Sequence, residues 1–337
     1  MNILVTGGAG FIGSHTVVEL LEKGYNVIIV DNFCNAKKSV IDRIEAITGI
    51  RPIVYNIDVR DKLELSKVFD YYAIDAVIHF AGLKAVGEST LIPLSYYDNN
   101  LTSTLTLLEV MKEHNVKKIV FSSSATVYGE DNVAPFSEDD KVGGTTNPYG
   151  TTKYFIENIL KDLYKSDKDW NIAILRYFNP IGAHASGLIG EDPNGIPNNL
   201  APYITQVASG KLEYLRVFGD DYDTKDGTGV RDYIHVCDLA HGHLCALNKL
   251  SENPGLVIYN LGTGVGYSVL DVLHAFEAAV GKKIPYKIVE RRKGDIATCY
   301  ANPTKAYKEM HFKTKRSLDD MCKDQWKWQQ YATKHNL

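Results

Sequence analysis

The sequence predicts an α/β protein built on a doubly wound parallel sheet, followed by a smaller C-terminal α/β domain for substrate. Three observations carry that expectation. Short β-branched runs alternate with amphipathic stretches through the first half, a glycine turn at Gly7, Gly10 and Gly13 sits directly behind the first run, and after Asn179 the texture becomes rich in Gly, Pro and Asn. Alternating strand and helix signals imply βαβ units and hence parallel strands. A Gly turn between strand and helix makes the fold Rossmann-like.

Strands are expected near 2–6, 26–30, 53–57, 76–80, 117–122 and 171–176. The first runs into Gly7, Gly10 and Gly13, where bare backbone lets a pyrophosphate approach N–H groups at the positive end of a helix. The spacing is G-x-x-G-x-x-G rather than G-x-G-x-x-G. The second strand ends in Asp31, 18 residues past Gly13, where a carboxylate can accept from both adenosine ribose hydroxyls. An anion there repels a 2'-phosphate, and Asp31-NFCNAKK has lysines at 37 and 38 but no adjacent Arg, so NAD is favoured over NADP.

The fifth strand leads to Ser124 in Phe121-SSSATVYG, facing the crevice at the carboxyl ends of the strands. In Pro148-YGTTK, Tyr149 and Lys153 stand four apart on one helical face. A tyrosine acting as base at neutral pH needs its pKa lowered by roughly 3 units, about 4 kcal/mol, which Lys153 and a nicotinamide cation can supply. Ser124, Tyr149 and Lys153 are therefore the candidate catalytic residues. Residues 1–178 are assigned to the dinucleotide domain and 179–337 to the substrate domain, with some later segments packing back on the first. Gly262, Gly264 and Gly266 follow Leu256-VIYNL and precede Ser268 and Asp271, which suits a capped helix entry rather than a second dinucleotide site. The helices expected near 100–114 and 149–165 carry apolar faces too broad for the sheet alone to cover, which predicts a homodimer.

The chain has 337 residues, 45% hydrophobic and 23% charged, with 37 basic against 41 acidic side chains and a net charge of -4. That balance offers no basic stripe for nucleic acid. A first strand at Asn2 and no apolar run of about 18 residues predict a cytoplasmic protein with no membrane span. Five scattered cysteines suit reduced thiols. Cys237, His241 and Cys245 fall at i, i+4 and i+8 of a probable helix, one ligand short of structural zinc, so packing rather than metal is expected. Trp326 and Trp328 are expected as core anchors.

Across nearly the whole chain the sequence resembles the nucleotide-sugar epimerases among the extended short-chain dehydrogenase/reductases. The resemblance is carried in order by Gly7-GAGFIG, His79-FAGLKAVGES, Ser122-SSATVYG, Asn147-PYGTTK, Leu175-RYFNPIGAH, Gly195-IPNNL, Gly229-VRDYIHVCDLA and Arg291-RKGD. It implies that NAD is held by Phe11 and Ile12; by Asp31, Asn32, Phe33, Cys34, Asn35 and Ala36; by Asp58 and Val59; by Phe80, Ala81, Gly82, Leu83 and Lys84; and by Asn99 and Phe178. Asp58 can accept from the adenine amino group, Lys84 can meet a phosphate, and Asn99 ends a turn facing the crevice. For a UDP-sugar it implies Asn179, Asn199, Leu200, Arg216, Val217, Phe218, Arg231, Arg292, Lys293, Gly294, Asp295 and Cys299, besides Ser124 and Tyr149. Paired arginines can fork onto a diphosphate, and Asp295 can accept from a ribose hydroxyl.

The activity implied is reversible oxidation at C4 of a UDP-hexose, interconverting the glucose and galactose forms. Relatives restricted to those sugars carry a Tyr where this chain has Cys299, so the N-acetylated pair is expected as well. The alternatives are a nucleotide-sugar 4,6-dehydratase and a non-catalytic dinucleotide sensor. Those dehydratases carry Thr-Asp-Glu where this chain has Ser124-Ala125-Thr126, and a sensor has no use for Tyr149 and Lys153.

Overall fold

The computed structural model describes every residue except 193–196, 198 and 293. Of the expected binding residues, Lys293 alone lies outside the described residues. Six strands appear where β-branched runs predict them: β1 (Asn2–Thr6), β2 (Asn26–Val30), β3 (Ile53–Tyr55), β4 (Ala76–His79), β5 (Lys118–Ser124) and β6 (Asn171–Tyr177). The third and fourth end earlier than expected, at Tyr55 and His79, while the fifth runs on through three serines to Ser124. Those serines stay extended because each pairs with β6, Ser124 opposite Tyr177.

The sheet has seven parallel strands in the order Leu256–Leu261, β6, β5, β4, β1, β2, β3. Leu256–Leu261 from the second half thus completes the edge beside β6. Helices cover both faces. On one, Val17 and Leu20 of Phe11–Glu22, Ile41 and Ile44 of Ser39–Thr48, and Leu239 and Leu247 of Val236–Leu250 meet Ile3, Val5 and Ile29. On the other, Leu65, Leu107 and Ile156, from Lys62–Tyr71, Ser103–Glu113 and Pro148–Ser166, meet Leu4, Val77 and Ile119. Strands buried on both faces need unbroken apolar runs, which is why they were legible.

The order reverses between β1 and β4, and ligands bind such sheets at that point beyond the carboxyl ends. The later half adds a small four-stranded sheet from Asn179–Ile181, Val230–His235, Gly266–Ser268 and Thr298–Cys299. A two-stranded ribbon joins Leu215–Phe218 to Tyr286–Val289. Helices Leu200–Ala208, Val269–Val280 and Leu318–Lys334 close a separate core around Ile204, Phe276 and Met321. Ser268 and Asp271 form the expected capping box, Ser268 Oγ accepting from the Asp271 N–H at 2.9 Å. Trp328 is buried and donates to the Glu191 carbonyl at 2.9 Å, and Trp326 packs partly buried on the later core.

Candidate functional site

Each of the first six strands delivers candidate residues at or just past its carboxyl end: Gly7, Asp31, Asp58, Phe80, Ser124 and Phe178 follow or end β1 to β6 in turn. The glycine turn is tight for a stated reason. Gly7 has φ +70°, and a Cβ there would lie 2.7 Å from the Ala81 nitrogen, while one on Gly13 would lie 2.2 Å from the Gly7 carbonyl. Gly10 caps the helix Phe11–Glu22 without any side chain taking the first N–H groups. A bare, open helix start beside a glycine turn fits a pyrophosphate. Asp31 is buried, accepting from Ala9 N–H at 3.0 Å and Phe33 N–H at 2.8 Å. Burial pushes its carboxyl up, and those two hydrogen bonds hold it back.

Around Asp31, Asn32 donates to Asp58 at 3.1 Å, and Arg60 forks onto Asp58 at 2.8 and 3.0 Å, holding its carboxyl down at about 2. Asp58 is thus an ionised acceptor. Of the two lysines past Asp31, Lys37 pairs with Asp192 at 3.0 Å and Lys38 lies 5.7 Å over the Phe33 ring. Cys34 is exposed beside this cluster, with Asn35 and Ala36 continuing the same loop and Val59 buried after Asp58.

Lys84, expected to meet a phosphate, bonds Glu191 at 2.9 Å, which occupies one of its three N–H donors. The same Glu191 oxygen accepts from Asn199 Nδ2 at 2.6 Å. Asn99 lies in a π-helical turn, Asp98–Thr102, rather than ending a simple turn, and donates to Asn100 at 3.0 Å. Sequence reasoning passed over Asn100. Buried, it accepts from Leu83 N–H at 2.8 Å and donates to Leu83 O and Thr152 Oγ1 at 3.0 Å, fixing the 80–84 loop to the Tyr149 helix. Its one advance signal was a paired Asn-Asn inside a helical stretch, since such side chains compete with helix bonds. Glu191, also missed, sits in a loop-like stretch that gave no periodicity to read.

Ser124 ends β5 and accepts from Thr126 N–H at 3.3 Å and Thr126 Oγ1 at 3.0 Å, which leaves its own proton to donate. Asn147 caps the helix Pro148–Ser166, accepting from Gly150 N–H at 2.9 Å. That helix presents Tyr149 and Lys153 to the crevice. Burial raises the Tyr149 phenol, and the Ser124 hydroxyl and the Lys84 charge draw it back. The downward pull expected from Lys153 is not what this arrangement shows. Lys153 is buried, donates to the Ser122 carbonyl at 2.6 Å, and is itself lowered by burial to about 8. Its Nζ lies 5.9 Å from the Tyr149 ring centre.

Phe178, past β6, packs with Val127, Tyr128, Phe136 and the half-buried Cys299. Cys299 stands in register with Arg231 on the neighbouring strand. Three arginines gather nearby. Arg292 lies 3.9 Å over the Phe218 ring, Arg216 lies 6.0 Å from the same ring, and Arg231 reaches Asp295 at 3.5 Å. Burial lowers Arg292, Asp295 opposes this, and Arg216 and Arg231 lower it further. Like charges held this close favour an anion between them. Val217 is buried in the strand between Arg216 and Phe218, Gly294 turns with φ +83°, Asn179 opens Asn179–Ile181, and Asn199 caps the helix that Leu200 begins.

His241, of the Cys237, His241 and Cys245 set, pairs with Glu19 at 2.9 Å, and Cys237 faces the Ala183 carbonyl. Among the described residues no group of three or more His, Cys, Asp or Glu could hold a metal, and no helix is long and apolar enough to cross a membrane.

Comparison with known proteins agrees with this geometry. The chain is 59% identical over 329 residues to a UDP-glucose 4-epimerase of Bacillus subtilis (strain 168), covering 98% of this chain and 97% of that one. It is 58% identical over 333 residues to that of Homo sapiens, covering 97% and 96%. The crystal structure of a UDP-glucose 4-epimerase from Bifidobacterium longum, in complex with NAD+ and UDP, superposes with a TM-score of 0.96 at 57% identity and 99% coverage of both chains. Residues 3–262 match the model of the NAD dependent epimerase/dehydratase family, and with a parallel sheet, a bare glycine turn and a terminal Asp31 in place, the chain belongs to that family.

Proposed function

We propose that this protein is an NAD-dependent UDP-glucose 4-epimerase, interconverting UDP-glucose and UDP-galactose through a 4-keto sugar. The observation that carries it is the convergence of Ser124, Tyr149 and Lys153 at the carboxyl end of β5, in a chain whose later half gathers Arg216, Arg231 and Arg292. The glycine turn and Asp31 fit a dinucleotide, with Phe11, Ile12, Asn32 to Ala36, Asp58, Val59, Phe80 to Lys84, Asn99 and Phe178 around it. When bound, NAD supplies the acceptor and donor of the C4 hydride, so the sugar is oxidised and reduced with no net change.

Tyr149 takes the proton of the sugar 4-hydroxyl and later returns it. Ser124, whose oxygen is already bonded by Thr126, donates to Tyr149 while it is the phenolate, before it takes that proton and again once it has returned it. Lys153, fastened to Ser122 O, keeps a positive charge on the same helical face. Arg216, Arg231 and Arg292 neutralise the diphosphate, Phe218 offers a flat face to the base, and Asn179, Asn199, Leu200 and Asp295 complete the nucleotide side. Strong hold on UDP with little hold on the hexose lets the keto sugar turn over without leaving.

Cys299 leaves room beside the hexose, so UDP-N-acetylglucosamine and UDP-N-acetylgalactosamine are substrates too. A 4,6-dehydratase needs an acid-base pair for elimination, and Ala125 and Thr126 supply none. We place the enzyme in the cytoplasm as a homodimer. Its five free cysteines suit a reducing compartment, and Leu105 and Phe155, on the helices expected to pair, are 46% and 42% exposed beside Leu91 and Leu94, both 81%. The test is nucleotide release on denaturation of purified protein, with NMR of UDP-galactose incubated with the native enzyme. NAD and conversion to UDP-glucose are expected. Absence of either overturns the assignment.

A further inference from the structure

Beneath the candidate active site lies a buried ion pair that the chemistry above does not use. Arg176 of β6 is 1% exposed and Glu157 is fully buried. Arg176 Nε and Nη2 fork onto the two Glu157 oxygens at 3.0 and 2.8 Å. Glu157 Oε1 also accepts from Ser123 Oγ at 2.6 Å, and Lys161 approaches Oε2 at 3.6 Å. The remaining Arg176 nitrogen donates to Tyr128 Oη and to the Glu138 carbonyl, both at 3.1 Å. Tyr128 Oη in turn donates to Asn260 at 2.6 Å.

Four members of this network lie within a few residues of a proposed active-site residue. Ser123 precedes Ser124, and Tyr128 closes the short helical turn Ala125–Tyr128 that follows it. Glu157 lies one helical turn past Lys153, and Arg176 stands two residues before Phe178. A pair withdrawn from water this completely gains little net stability, because desolvation offsets the attraction. Its fork geometry is what it adds.

We propose that Glu157 and Arg176 are positioning residues whose buried pair fixes the approach of Ser124 to Tyr149. The role rests on Tyr149 being the group that moves the substrate proton. The Tyr149 helix cannot slide along β5 without breaking the Ser123 bond and the fork, and the turn after Ser124 cannot lift while Arg176 holds Tyr128. A misplacement of about 1 Å in such a constellation costs about 100-fold in rate.

The test is the double variant Glu157→Leu, Arg176→Met in the NAD-containing enzyme, which removes both charges and leaves neither orphaned. The expected result is a folded protein whose kcat on UDP-galactose falls about 10- to 100-fold with KM near wild type. The acid limb of its kcat pH profile moves to higher pH, because Ser124 no longer draws the phenol down. Lys84, Lys153, Tyr96 and Tyr177, the other titratable groups near Tyr149, are left in place. A folded variant with wild-type kcat, or one that loses kcat with an unmoved limb, overturns the role. If the double variant does not fold, Ser123→Ala decides the matter on the same readouts, a lower kcat with a raised limb supporting the role and an unchanged enzyme overturning it. A wild type inactive on UDP-galactose overturns the proposed function and this role with it. An active wild type beside an unperturbed variant overturns the role alone.

Discussion

Replacing Cys299 by Tyr should narrow the enzyme to the plain hexoses. Cys299 stands opposite Arg231 in a parallel pair, so the two side chains leave the same face, the one proposed to meet the UDP-sugar. The backbone behind it is pinned. Ala301 N–H donates to the buried Asp232 at 3.1 Å, Asn302 N–H to the Phe136 carbonyl at 2.8 Å, and Phe136 N–H to the Tyr300 carbonyl at 2.9 Å. A phenol added here cannot be absorbed by retreat of the strand and must project into the pocket. Tyr300 does not already fill that space, for it lies on the opposite side against Gly266, where a Cβ would come within 3.3 Å of its ring. An acetamido group brings about three more heavy atoms than a hydroxyl, and forcing it into a filled site costs roughly 1–3 kcal/mol, or about 5- to 150-fold. The assay is kcat/KM for both sugar pairs in wild type and Cys299→Tyr. Wild type should turn over all four sugars, and the variant should lose the acetylated pair by that factor. A wild type inactive on UDP-N-acetylglucosamine refutes the reasoning.

Tyr149→Phe removes only the phenol hydroxyl, the group that takes and returns the proton, so activity should fall at least ~100-fold while the protein still folds and retains NAD; near-normal turnover would remove Tyr149 from its role. Lys153 has its pKa lowered to about 8 in the folded chain, so between there and its ordinary value the unfolded chain binds more protons and stability rises with pH. Lys153→Met, freed of nucleotide, should lose that rise, and the difference between the two proteins in urea denaturation at pH 7 and pH 10.5 should reach about 3 kcal/mol, whereas parallel curves would contradict burial as the cause. Leu94→Lys, at a residue 81% exposed on the face beside Leu91, should convert a dimer to a monomer by light scattering, and a wild type already monomeric at micromolar concentration would rule the dimer out.

The sheet was legible because strands covered by helices on both faces must be apolar throughout, and Asn2–Thr6, Asn26–Val30 and Asn171–Tyr177 read that way. The small sheet of the later half was not. Thr298–Cys299 is two residues long and held by Val230–Arg231, far away in sequence, so no periodicity can announce it. Most candidate site residues could be named from the sequence because they sit at or near strand ends, where topology puts ligands. Their partners could not. Lys84 finds Glu191 107 residues away and Arg176 finds Glu157 across a helix and a strand, pairings that only the fold creates. One signal was open to reading, a charged Arg176 inside the run Asn171-IAILRY, since a lone charge in a buried strand demands a partner.

The most direct measurement is proton NMR of UDP-galactose incubated with the purified enzyme in deuterated water without added nucleotide. Transfer of the C4 hydrogen as hydride, away and back within one active site, predicts UDP-glucose that keeps protium at C4. Deuterium at C4, or loss of water from the sugar, would contradict it.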